Sequence, residues 1–213
     1  MSDIRLVPAR CIETEFTDHN SRFITSAGPA FSVQQAKAFI AKIVDKYPDA
    51  NHHVPLYLIG HDTTTIAHCS DDGEPSGTAG RPALSVLQGS GLGDIVLVIT
   101  RYFGGTKLGT GGLVRAYSDS VRNLLEALPR ARKVATTTLM FVIPYAQFEQ
   151  TRLIIRNHLG NIRDEVYGAD VTLTVRLAND QLALFKKKMM ELTRGSIEFI
   201  TLEQNDHTIM PLR

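Results

Sequence analysis

Residues 70–117 read SDDGEPSGTAGRPALSVLQGSGLGDIVLVITRYFGGTKLGTGGLVRAY, and eleven of the chain's sixteen glycines fall between Gly73 and Gly112. At the centre, Ile95 to Ile99 is unbroken apolar sequence within a strand expected over Asp94 to Phe103. A continuous rather than alternating run implies a strand covered on both faces, and so a layered structure of sheet and helices. Glycine-rich turns flank that strand, where the backbone must take unusual dihedrals or pass close to a neighbour. Shaped loops on a rigid strand are where function commonly sits.

Downstream of the strand, Gly104 to Gly112 leads into an amphipathic helix marked by Leu113, Tyr117, Val121, Leu124 and Leu128, expected to start directly after Gly111-Gly112. Upstream, Pro82 suits the first turn of a short helix over 82–89. Val54–Ile59 and Thr64–Ala67 read as a hairpin about Gly60-His61-Asp62, with Pro55 expected at an edge or strand start. Ser32 opens a helix with Gln35 as capping-box partner, and Tyr47-Pro48-Asp49 stops it. Residues 21–27 read as a further strand.

Pro129 to Lys133 (PRARK) is polar and basic and reads as a junction, after which the pattern resets. Thr136–Ile143, Asn161–Tyr167, Val171–Leu177 and Ser196–Leu202 read as strands, and Gln147–Leu159 and Asp180–Leu192 as helices. Gly160 is the expected C′ residue of the first of these helices. The order β-α-β-β-α-β is that of the ferredoxin-like split βαβ unit. The expected fold class is α+β in two domains, residues 1–135 and 136–204, followed by a flexible tail over 205–213.

The bulk numbers exclude several classes. Hydrophobic content of 43% and charged content of 21% are those of a globular protein. No segment approaches the apolar length of a membrane helix, so no membrane partner is expected. MSDIRLVPAR resembles no signal peptide, and Cys11 and Cys69 show no pairing pattern, which sets a cytoplasmic expectation. Net charge is +1, yet residues 1–74 carry six Lys/Arg against ten Asp/Glu while residues 75–135 carry eight against three. Such a distribution allows a local basic face beneath a neutral average.

Two segments are candidates for chemistry. The 104–112 loop brings backbone N–H groups to a helix N-terminus, which favours an anion, and Arg101, Lys107 and Arg115 bracket it. Its glycines fit neither the Walker pattern nor the dinucleotide fingerprint, so no nucleotide cofactor is expected. A strand-to-helix crossover without ligand would use the same glycines, and Arg115 has Asp119 in pairing distance along its helix. The second segment, Asp71-Asp72-Gly73-Glu74-Pro75, sets three acids within four positions. That is turn chemistry, with Asp bonding nearby N–H groups; the same acids also suit a metal or acid–base role. His52, His53, His61 and His68 lack zinc-site spacing, and no nucleophile elbow occurs, so no metal ligands and no catalytic residues are assigned.

The strings Ser70-Asp71-Asp72-Gly73-Glu74-Pro75-x-Gly77-Thr78-Ala79-Gly80-x-Pro82 and Arg101-Tyr102-Phe103-Gly104-Gly105-x-x-Leu108-Gly109-x-Gly111-Gly112-Leu113-Val114-Arg115-Ala116-Tyr117, with Ser21-Arg22-Phe23-Ile24, resemble the IMPACT/YigZ family. The resemblance implies an N-terminal ribosomal-protein-like fold similar to domain IV of elongation factor G. It implies a C-terminal ferredoxin-like domain similar to domain V of that factor. The eukaryotic relative is a translational regulator with an extra N-terminal domain, so its kinase-pathway role is not carried over. Val54-Pro55-Leu56 after His52-His53 and Cys69 before Ser70 depart from the family pattern.

The resulting expectation is a non-enzymatic protein that binds RNA or the ribosome, or a translation-related protein. Phosphate contacts are expected from Arg22, Arg101, Lys107, Arg115 and the backbone of Gly109, Gly111 and Gly112. The alternative is a hydrolase or transferase using Asp71, Asp72 and Glu74 beside the Gly104–Gly112 loop.

Overall fold

The computed structural model describes residues 5–61 and 65–211. The chain divides into two compact units, with the break between Arg132 and Lys133 and the second unit running to Thr208.

The first unit is built on five strands, β2 (Ile12–Asp18), β3 (Ser21–Pro29), β4 (His52–Ile59), β5 (Ile66–Cys69) and β6 (Ile95–Tyr102). Their order is β2-β3-β6-β4-β5, and every neighbouring pair is antiparallel. A short β1 (Leu6–Pro8) lies outside this sheet. Helix α1 (Val33–Lys46) packs on one face, where Ala36, Phe39 and Ile40 meet Tyr57, Ile59 and Val96. Helices α2 (Gly80–Gln88) and α3 (Gly109–Ala127) cover the other, where Ala83, Leu87, Tyr117, Val121 and Leu124 meet Phe23, Leu56, Leu97 and Ile99. Ile95 to Ile99 are therefore all fully buried, as their unbroken apolar run requires. Each such side chain contributes roughly 1.5–3 kcal/mol of burial, which makes β6 the strand that ties both layers together.

Local chemistry sets the element ends. Ser32 caps α1 by accepting from the Gln35 N–H at 3.2 Å, while Gln35 Oε1 accepts from the Phe31 N–H at 2.7 Å, one residue earlier than a strict capping box. His19 and Asn20, at φ 45° and 64°, make the two-residue turn between β2 and β3. Pro55 is not at the start of β4. It lies where β5 has ended, since β5 pairs only with Leu56–Ile59, so its missing N–H leaves no ladder bond unmade. The expected hairpin turn reaches residues 62–64, which lie outside the described residues, and β5 begins at Ile66.

The second unit contains most of β7 (Arg130–Ile143), then α4 (Phe148–Asn157), β8 (Asn161–Tyr167), β9 (Val171–Ala178), α5 (Asn179–Leu192) and most of β10 (Ile200–Pro211). The strand order β10-β7-β9-β8 is the ferredoxin-like arrangement. Phe141, Leu173, Val175, Phe185 and Met189 form its core.

Five expectations need correction. Arg130 to Lys133 holds the break between the units, but as strand rather than as an irregular linker: Ala131 is buried between two more exposed arginines, and β1 supplies backbone partners to Arg130–Arg132. The tail expected to be flexible from 205 is strand through Pro211, paired to β7, with Thr208 Oγ1 bonded to Thr136 Oγ1 at 2.7 Å. That last strand starts at Ile200 rather than Ser196. Helix α3 starts at Gly109, so Gly111 and Gly112 lie within its first turn. The C′ residue after α4 is Leu159, at φ 59°, and Gly160 follows it, donating its N–H to the Ile155 carbonyl. Gly160 is needed for space, since a Cβ there would meet Ile155, Leu177 and Val175 at 2.8–3.1 Å.

Candidate functional site

The DDGEP segment folds through two left-handed residues, Asp72 at φ 46° and Gly73 at φ 84°. Asp71 turns back on α2: its carboxylate accepts from the N–H groups of Gly77 (2.7 Å), Ala79 (3.1 Å) and Gly80 (2.8 Å). Partial burial raises the Asp71 pKa, but these bonds outweigh it and leave the carboxyl below its ordinary range. The Asp72 carboxylate accepts from the His53 N–H at 2.5 Å, and its carbonyl accepts from His52 Nδ1–H at 2.7 Å. The turn is thereby stitched to the start of β4.

Glu74 points inward. Its Oε1 accepts from Arg101 Nη1 at 2.5 Å and from the Tyr117 hydroxyl at 2.7 Å, and His52 Nε2 stands 3.8 Å away. Arg101 Nη2 reaches Ser21 Oγ at 3.3 Å, and its guanidinium stacks near the rings of Phe23 (5.4 Å) and Phe103 (5.8 Å). Burial, reinforced by the bond to Glu74, raises the Tyr117 phenol well above its ordinary pKa, so it remains a neutral donor. The three acids of the motif thus each hold a defined partner, and the arrangement acts as a clamp joining the turn, β6 and α3.

Above the clamp is a cleft of about 340 Å³ lined by Glu74, Pro75, Arg101, Phe103, Lys107, Leu108, Gly109, Thr110 and Leu113. Its rim is shaped by two features. Gly104 closes on the β2–β3 turn, and a Cβ at that position would collide with the Asn20 backbone. Helix α3 opens at Gly109 (φ 70°) with no side-chain cap, so its first N–H groups are left for an acceptor from outside the helix.

Of the residues expected to contact phosphate, the cleft brings together Arg101, Lys107 and Gly109, while Arg22, Gly111, Gly112 and Arg115 do not line it. Arg101 is corrected from surface cation to internal strut: it is 5% exposed and committed to Glu74, because a charge on a strand buried on both faces must be paired. Arg22 is exposed but bonds Glu15 at 2.8 Å. Lys107 and Arg115 are exposed. Asp119 pairs with Arg122 at 2.5 Å, not with Arg115. Sequence reasoning missed the Glu74–Arg101–Tyr117 cluster. The available signal was an arginine two residues beyond the apolar run Ile95–Ile99 on the same strand, which demands an acid nearby. Among the described residues no group of His, Cys, Asp and Glu has metal-holding geometry, and no helix is long and apolar enough to cross a membrane.

Comparison with known proteins places this architecture among relatives. The model of the Impact N-terminal domain matches residues 19–125, and that of a domain of unknown function (DUF1949) matches residues 141–196. The chain is 38% identical to the IMPACT family member YigZ of Escherichia coli over 200 residues, covering 93% of this chain and 98% of that one. It is 28% identical to Protein IMPACT-A of Xenopus tropicalis over 128 residues, 58% of this chain and 39% of that one. A crystal structure of a hypothetical protein, 36% identical, superposes with a TM-score of 0.61 over 95% of this chain and 99% of the other.

Proposed function

This chain belongs to the IMPACT family, and we propose that it is a cytoplasmic, translation-associated protein that binds RNA or the ribosome through the rim of the 104–112 loop. The observation carrying this reading is the uncapped N-terminus of α3 opening into a cleft beside exposed Lys107. Oriented N–H groups and a lysine form a phosphate-binding pair that recognises backbone without reading sequence. Arg115 lies on the same helix, six residues beyond its start, and adds a second exposed cation. Arg101 contributes indirectly by holding the loop through Glu74. The family resemblance implies work in translation, and the excess of cations over residues 75–135 supports a polyanionic partner. The carboxylates that a hydrolase or transferase would need are held by backbone N–H groups, Arg101 and Tyr117, which favours the binding reading.

Co-sedimentation with purified ribosomes at low salt tests it. Wild-type protein is expected in the pellet, and a Lys107→Ala/Arg115→Ala variant of unchanged melting temperature in the supernatant. Wild-type protein that stays in the supernatant and shifts no RNA would refute the proposal.

A further inference from the structure

The cleft contains more than an anion site. Phe103 stands in its wall with 48% of its surface exposed, although the aromatic rings of Phe23 and Tyr117 nearby are wholly buried. Its backbone is pinned by an N–H bond to Asn51 Oδ1 at 2.7 Å. Its ring is backed by the Arg101 guanidinium 5.8 Å from the centroid. Arg101 itself is 95% buried, lines the same cleft, and has an Nε with no hydrogen-bond partner. A fixed aromatic ring, a lysine and an uncapped helix N-terminus therefore border one small cavity. Its only acid, Glu74, is neutralised by Arg101 and capped by Tyr117.

We propose that this cleft is a one-nucleotide site for single-stranded RNA, in which an unpaired base stacks on Phe103 and its phosphate meets Lys107 and the first N–H groups of α3. The proposal rests on the RNA-binding reading above and adds the strandedness of the ligand. Stacking on an aromatic face is tolerant of sequence, and it requires a base free of its partner. The volume of about 340 Å³ lies at the small end of ligand pockets, which suits one splayed nucleotide and not a duplex groove. Leu108 and Leu113 add the apolar lining that a base, rather than a bare phosphate, would bury.

The test compares four probes by fluorescence anisotropy at low salt: a labelled single-stranded oligoribonucleotide, the same strand with abasic positions, its duplex, and a mononucleotide as competitor. Wild-type protein is expected to prefer the base-bearing single strand over both the abasic strand and the duplex. Phe103→Leu, which keeps an apolar side chain, is expected to weaken only the base-bearing strand, roughly five- to hundred-fold, the contribution of one stacked base. Phe103→Tyr is expected to bind as wild type does. The abasic comparison needs no variant and stands even if Phe103→Leu unfolds. Equal binding of all strands by wild type, no change in Phe103→Leu, or no competition by the mononucleotide would overturn the one-nucleotide site while leaving phosphate binding intact. Binding to none of the probes would overturn both.

Discussion

Glu74 and Arg101 lie 27 residues apart in sequence and form one ion pair with 3% and 6% of their side chains exposed. Removing one member of a buried pair leaves the other charge without compensation, at about 3–5 kcal/mol. Glu74→Gln is therefore expected to lose stability of that order in urea melts. Tyr117→Phe, which deletes a single bond to a charged acceptor, should lose about 1.5–3 kcal/mol. Asp71 predicts a pH effect with a definite sign. Its folded pKa is depressed, so its contribution is present above the unfolded value, near 3.9, and disappears as pH falls through the folded one. The stability gap between wild type and Asp71→Asn is expected to be widest near neutrality and to close in acid. A gap that widens in acid would contradict the N–H bonds assigned to that carboxylate.

At the scale of elements, glycines of one loop serve opposite ends. Gly104 has no room for a Cβ because the β2–β3 turn lies against it, so Gly104→Ala is expected to cost about 1–3 kcal/mol or more. Gly111 sits in the first turn of α3 with open space around it and no positive φ, so Gly111→Ala is expected to stabilise by about 0.4–1 kcal/mol. Thermal melts of the two variants should move in opposite directions. The sequence could not separate these glycines, because one is constrained by a turn more than eighty positions away. The same non-locality hid other features. Arg130 to Arg132 has no apolar residue but Ala131, and its strand character comes from pairing with Leu6–Pro8. The polar run Glu203–Thr208 hid strand β10, whose strand character comes from backbone pairing with β7. Strongly periodic elements were legible: β6 from its apolar run, and α1, β8 and α5 nearly to their ends. In the candidate site a glycine-rich loop leading into a helix was legible, whereas the earlier helix start at Gly109, the inward turn of Arg101 and the exposure of Phe103 depend on packing that no local pattern encodes.

For the whole molecule, the strand through Arg130–Lys133 sets the response to protease. Trypsin is expected to cut slowly at Arg130 and Arg132 in the native protein, and quickly once β1 is deleted, because the paired backbone is then released. Rapid native cleavage there would show that the β1–β7 pairing does not persist in solution. Under the proposed function, the exposed cations beside the α3 N-terminus neutralise RNA phosphates. The salt dependence of binding to single-stranded RNA, measured for wild type, Lys107→Ala and Arg115→Ala, decides this. The prediction is a linear fall of log K with log salt, and a slope smaller by about one in each variant. Variants with the wild-type slope, or wild-type protein that binds no RNA at about 50 mM salt, where phosphate contacts are strong, would contradict it.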